Sequence, residues 1–195
     1  MDSLNLDMNK RYTYADYLTW MDDVRRELHD GLIVEPSTPW RKHAQVSSHL
    51  TGILGNYLAG KKPHIYHAPF DVRMFKDANK TSDDQIYTVV QPDLSIITDL
   101  SKLDDRGCLG APEFIIEIAT KETSKRDIKD KFNIYQEHGV LEYWIVSPND
   151  ENVTVFILDK NGKFQFVGMY AENDKIPVNV FNGDLQVDLT EVFVD

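Results

Sequence analysis

Apolar residues recur along this chain with two periods, and the switches between them predict its elements. Val46, Leu50, Ile53, Leu54, Tyr57 and Leu58 form a stripe at helical spacing that stops at Gly60, so an amphipathic helix is expected there. Thr38-Pro39 ahead of it fits an N-cap followed by a first-turn proline. Thr13-x-x-Asp16 opens a shorter helix carrying Tyr14, Tyr17, Leu18 and Met21. The run from Arg25 to Glu35 centres on Asp30-Gly31, the two-residue signal of a tight hairpin. Strands are expected over residues 65–75 and 86–98, with the polar stretch 77–85 between them as a mobile loop.

The second half continues in the same alternation. Residues 113–119 are rich in strand formers and apolar on both faces apart from Glu117, the pattern of a central strand. Ser124-x-x-Asp127 can cap a helix running to about His138, with Gly139 as its stop. Residues 142–147 make another strand, ended by Pro148, and strand–helix–strand over 113–147 predicts a right-handed crossover. Alternation at Tyr143 and Trp144 predicts one core side chain and one at a sheet edge or dimer contact. Residues 153–158 and 164–170, joined through Asn161-Gly162, read as a hairpin, and the tail from Lys175 as short strand and loop. The expected class is α/β (α+β): a mixed central sheet flanked by helices, with an added N-terminal hairpin and a C-terminal β-meander.

Three charged residues interrupt this apolar frame. Asp93 follows Pro92 at the start of an apolar run, Glu117 sits inside Phe114–Ala119, and Lys131 falls on the apolar stripe of the following helix. Unpaired, each would cost several kcal/mol to bury. Period-two alternation places Asp93, Ser95 and Ile97 on one strand face and Ile115, Glu117 and Ala119 on another. Adjacent strands lie about 4.8 Å apart, so two such carboxylates can share a divalent cation. Asp127, Lys131 and Tyr135 are spaced i, i+4, i+8 on the helix face that must meet the sheet. Two acids, a lysine and a shared cation are the equipment of a metal-dependent phosphodiesterase.

Composition sets limits on that reading. A chain of 195 residues with 42% hydrophobic and 11% aromatic content supports one globular domain over residues 1–195. No apolar run reaches the roughly 18 residues of a membrane span, and no membrane partner is expected. The first residues lack the basic and apolar regions of a signal peptide. With the single Cys108 unable to form an internal disulfide, a reducing cytoplasm is the expected compartment. Cys108 itself, beside Gly107 and Gly110, reads as a loop thiol. The net charge of −11 argues against tight non-specific nucleic-acid binding. It is unevenly spread: residues 148–195 hold nine acids against three lysines, whereas 121–131 hold five Lys and Arg against three acids.

The order of these features resembles the PD-(D/E)xK nuclease superfamily, and within it the Uma family of restriction-endonuclease-like proteins. The matching residues are Glu27 before Asp30-Gly31, His43 after Pro39, Pro92-Asp93, Glu117 and Asp127-x-x-x-Lys131-x-x-x-Tyr135. The match continues into the string from Gly139 to Pro148. One departure matters: the superfamily lysine two residues after the acid would be position 119, which is Ala119 here. The resemblance implies that Lys131, on the next helix, replaces it. It further implies a fold with Mg²⁺ (or Mn²⁺) held by Asp93, Glu117 and the backbone carbonyl of Ile118. Lys131 would orient the attacking water or stabilise the transition state, and Glu27 would add a carboxylate as outer-sphere ligand or base. His43 reads as a buried, hydrogen-bonded histidine or a group supporting the ligands from behind, as do Asp127 and Tyr135. The expected substrate is nucleic acid, DNA first, and a homodimer would give two cuts on a duplex. A catalytically silent binding module on the same fold and a hydrolase of another phosphoester stay open.

Overall fold

The computed structural model describes residues 4–36, 40–79, 81–120 and 125–194, the side chains of 125–127 excepted. Helix α1 (Tyr14–Tyr17) is capped by Thr13, whose hydroxyl accepts from the Asp16 amide while the Asp16 carboxylate accepts from the Thr13 amide. It ends before Leu18 and Met21, which are exposed. Strands β1 (Glu27–His29) and β2 (Leu32–Val34) form the expected hairpin. Asp30 and Gly31 take φ of 51° and 85°, the paired left-handed conformation that a two-residue turn needs to match strand twist. Helix α2 (Arg41–Leu58) buries Val46, Leu50, Leu54 and Leu58 along one stripe. The cap expected at Thr38-Pro39 lies outside the described residues, and Trp40 occupies the cap position.

Two of the expected strands each divide in two. The segment 65–75 becomes β3 (His64–His67) and β4 (Val72–Met74); the segment 86–98 becomes β5 (Thr88–Val90) and β6 (Leu94–Ile97). In each case the halves join different sheets. Pro69 and Pro92 fall in the gaps, and a residue without an N–H cannot continue a ladder. β7 (Leu103–Asp104) and β8 (Gly107–Leu109) follow. Cys108 therefore lies in a strand rather than a loop: it is fully buried, its thiol donates to the Gly110 carbonyl at 3.3 Å, and burial pushes it up to about 12. β9 (Phe114–Ile118), helix α3 (Lys125–His138) and β10 (Glu142–Ser147) make the crossover, with β9 and β10 parallel. The cap expected at Ser124 lies outside the described residues. β11 (Asn152–Leu158) and β12 (Phe164–Ala171) form the C-terminal hairpin, and β13 (Lys175–Pro177) pairs with β14 (Gln186–Asp188).

The mixed sheet thus comes as two, ordered β2-β1-β5-β4-β8-β7 and β12-β11-β10-β9-β6-β3. Each side of the second sheet carries its own core. On one, Leu94, Phe114, Ile116, Trp144 and Val155 pack against α2 and the C-terminal segment. On the other, Ile97, Ile115 and Tyr143 meet α3 and the first sheet through Tyr135, Val72 and Met74. Tyr143 and Trp144 are consequently both buried, correcting the expectation that one would sit at an edge: β10 is an inner strand covered on both faces. Trp144 stacks edge-on against Phe114 at 5.0 Å, and truncating such a ring to alanine costs about 3–5 kcal/mol. No helix among the described residues is long and apolar enough to cross a membrane.

Candidate active site

The alternation along β9 decides where the site forms. Phe114, Ile116 and Ile118 point to the α2 side, which leaves Ile115 and Glu117 facing α3 and the first sheet. β6 runs antiparallel beside β9 with Leu94 opposite Ile116. Continuing that register by one residue sets Asp93 opposite Glu117, and the Ile118 amide donates to Asp93 Oδ2 at 2.8 Å. From across the sheet face, Lys131 in the second turn of α3 reaches Glu117 Oε1 at 2.8 Å, and Tyr135 one turn later donates to the same oxygen. This is the i, i+4 face read from the sequence. Asp127 belongs to α3, but its side chain lies outside the described residues.

The first sheet closes the site from the other side. Glu27 on β1 is only 1% exposed, and its Oε1 accepts from the Gln91 amide at 2.9 Å and lies 3.3 Å from Lys131 Nζ. Its Oε2 meets His29 Nε2 at 2.8 Å. His43, in the first turn of α2, sets Nε2 3.2 Å from Asp93 Oδ1, which fits a histidine that steadies Asp93. Together these groups line a cavity of about 260 Å³, whose wall includes Ile118 and Ala119. Every site residue predicted from the sequence with a described side chain is therefore in or against one cavity.

Three polar residues that bond within this site, His29, Gln91 and Arg25, escaped the sequence reading. His29 carried a signal, since position i+2 in a strand shares the face of Glu27. Gln91 and Arg25 carried none. Arg25 donates from Nε to Gln91 Oε1 at 2.7 Å and from a terminal nitrogen to the Gln91 carbonyl at 2.9 Å. Gln91 in turn donates to Asp71 at 2.8 Å. This chain of bonds fixes the loop that presents both the Gln91 amide and Asp93.

The electrostatics are those of crowded acids. Burial pushes Glu117 up to about 7, with Asp93 and Glu27 adding to the rise and Lys131 opposing it. Burial also works against ionised Glu27, but Lys131, His29 and the Gln91 amide outweigh it and bring Glu27 down to about 2. Burial disfavours the Lys131 ammonium too, and Glu117 and Glu27 overcome it, holding the lysine above its ordinary range. Three carboxylates, Glu27, Asp93 and Glu117, thus crowd around the Lys131 ammonium. Among the described residues no three His, Cys, Asp or Glu side chains converge as a ready metal cage. Two carboxylates with a neighbouring backbone carbonyl and water nevertheless suit Mg²⁺, which characteristically keeps part of its hydration and takes one or two protein acids.

Two mixed sheets, with α3 crossing between β9 and β10 beside an acid-lined cavity, form a restriction-endonuclease-like fold. Residues 14–190 match the family model described as "Uma2: Putative restriction endonuclease", and the chain belongs to that family. A solved structure titled "Crystal structure of a putative nuclease belonging to DUF820", from Anabaena variabilis ATCC 29413, has a similar fold. Its TM-score is 0.73 at 16% sequence identity, covering 93% of this chain and 97% of that one. No curated protein matches the chain.

Proposed function

We propose that the protein is a metal-dependent endonuclease that hydrolyses phosphodiester bonds of DNA. The observation that carries this reading is the meeting of Glu27, Asp93, Glu117 and Lys131 in one cavity, with more negative than positive charge. Asp93, Glu117 and the Ile118 carbonyl are the groups that would hold Mg²⁺ or Mn²⁺. Such an ion, when bound, supplies charge neutralisation and a more acidic water. Ile118 fixes Asp93 through its amide, and His43 holds the other carboxylate oxygen in place. Lys131 sits where charge grows on the phosphate, so its ammonium contributes most in the transition state. Tyr135 orients Glu117 from behind, and Glu27 anchors Lys131 or accepts the proton of the attacking water. Water adds to phosphorus as the P–O3′ bond breaks, leaving a 3′-hydroxyl and a 5′-phosphate.

Two features favour a second reading, a silent nucleic-acid-binding module. The chain has Ala119 where the superfamily pattern has lysine, and the Glu117 oxygen facing Lys131 is already engaged by both Lys131 and Tyr135. Cleavage of plasmid and single-stranded DNA with Mg²⁺, Mn²⁺ or EDTA separates the two. Metal-dependent nicking is expected, and its absence with both metals favours the silent module. A homodimer also belongs to the proposal. β12 is an eight-residue edge strand with Phe166, Val167 and Met169 exposed, and a second copy pairing along it would cover them. Sedimentation reads the mass directly.

A further inference from the structure

A second cavity, of about 300 Å³, opens beside the first and shares His43, Ala119 and Thr120 with it. That volume is at the lower end of the range for ligand pockets. The two differ in charge. The first is lined by four carboxylates, Glu27, Glu35, Asp93 and Glu117, whereas the second has none among its described lining residues and carries Arg41 and Lys42. Arg41 donates to Gln45 at 3.1 Å, and Lys42 stands 3.8 Å from Glu151 in an exposed pair, which holds the ammonium only weakly. In a chain of net charge −11, a recess whose described lining carries two cations and no carboxylate, set against the acidic cavity, is suited to a phosphate.

Its third element is an indole. The other two tryptophans are occupied: Trp144 is buried, and Trp20 packs on Tyr12 and Tyr17 at 5.3 Å each. Trp40 is 67% exposed at the second cavity. A large aromatic face beside cations that can hold a phosphate backbone is the combination that binds unpaired bases by stacking.

We propose that this second cavity is a subsite for an unpaired nucleotide next to the scissile phosphate. Its base stacks on Trp40 and its phosphate is held by Arg41 and Lys42. The inference rests on the nuclease reading for the position of the scissile phosphate, and it names the substrate class: single-stranded or locally opened nucleic acid. A paired base inside a duplex has both faces stacked on its neighbours and offers Trp40 nothing to cover.

The test compares wild type, Trp40→Ala and Trp40→Phe. Fluorescence anisotropy in EDTA reads binding of a labelled single-stranded oligothymidylate and of a duplex, and steady-state cleavage of the single strand in Mn²⁺ gives kcat and KM. Circular dichroism verifies that the variants fold. Trp40→Ala is expected to weaken single-strand binding about ten-fold and to raise KM in proportion, with the loss on KM rather than kcat. Trp40→Phe should recover most of the binding, and duplex binding should move by less than about two-fold. Unchanged single-strand binding in Trp40→Ala, an equal loss on the duplex, or no single-strand binding by wild type overturns the subsite. The two proposals fail separately. Trp40-dependent binding without cleavage keeps the subsite and removes the nuclease reading, and cleavage with an unchanged KM in Trp40→Ala does the reverse.

Discussion

Glu117 on β9 and Glu142 on β10 stand on adjacent parallel strands, and burial pushes both upward. Their surroundings are opposite. Glu142, fully buried on the Trp144 side, accepts from Trp144 Nε1 at 2.9 Å, Asn179 Nδ2 at 3.3 Å and the Val180 amide at 2.8 Å. Neutral donors surround it, and it ties the C-terminal segment to the sheet. Glu117 faces a cavity, with Lys131, Tyr135 and two further acids as neighbours. A buried carboxylate in a strand is therefore not by itself a sign of chemistry. What distinguishes Glu117 is space for a ligand and an excess of like charge around it.

This contrast can be broken most sharply by substitution at the cavity. Lys131→Met is expected to cut kcat on DNA by about 10²-fold or more, roughly 3 kcal/mol on the barrier. Because it leaves Glu27 and Glu117 without their ammonium, it should also lower the melting temperature in EDTA, with partial recovery in Mn²⁺. Equal rates in wild type and variant would remove Lys131 from the mechanism. Glu117→Gln should lose a similar factor in turnover while keeping the fold, since the neutral amide relieves the crowding of acids; a collapsed variant would put Glu117 in the same structural class as Glu142.

At Glu142 the expected effect lies in stability. Glu142→Ala leaves Trp144 Nε1 and the Val180 amide without their acceptor and opens a void. Urea unfolding should show a loss of about 2–4 kcal/mol, with kcat per folded molecule unchanged. A specific loss of kcat would sink the distinction. A smaller effect follows from acidity. Burial raises the folded-state pKa of Glu142, so its contribution to stability is fully present below the unfolded value of 4.5 and is lost as pH rises through the folded one. Wild type should therefore gain on Glu142→Gln as pH falls from about 8 to about 4, and a gain in the opposite direction contradicts the assignment. The smallest expected signal is at Cys108. Buried and pushed up to about 12, its thiol should alkylate only on unfolding, and rapid labelling of the native protein would show that β8 opens.

The elements legible in the sequence were those set by local periodicity. The helical stripe of α2, the Asp30-Gly31 turn and the apolar run around Glu117 each follow from residues near one another in the chain, where backbone preference and side-chain spacing act directly. The same logic found the face shared by Lys131 and Tyr135. Prolines at 69 and 92 were equally visible, yet their breaking of two long runs into strands of different sheets was not read from them.

What the tertiary structure alone decided is which distant segments meet. Glu27 lies 104 residues from Lys131, and nothing in the β1 hairpin states that it will pack against α3. The burial of both Tyr143 and Trp144 and the clamp of Arg25 on Gln91 were equally out of reach, because they depend on what covers each sheet face. Sequence determined the faces that carry charge, since side-chain direction is fixed by the backbone period. Only strand register and sheet order brought those faces together around one cavity, because pairing across the chain is chosen by the whole core.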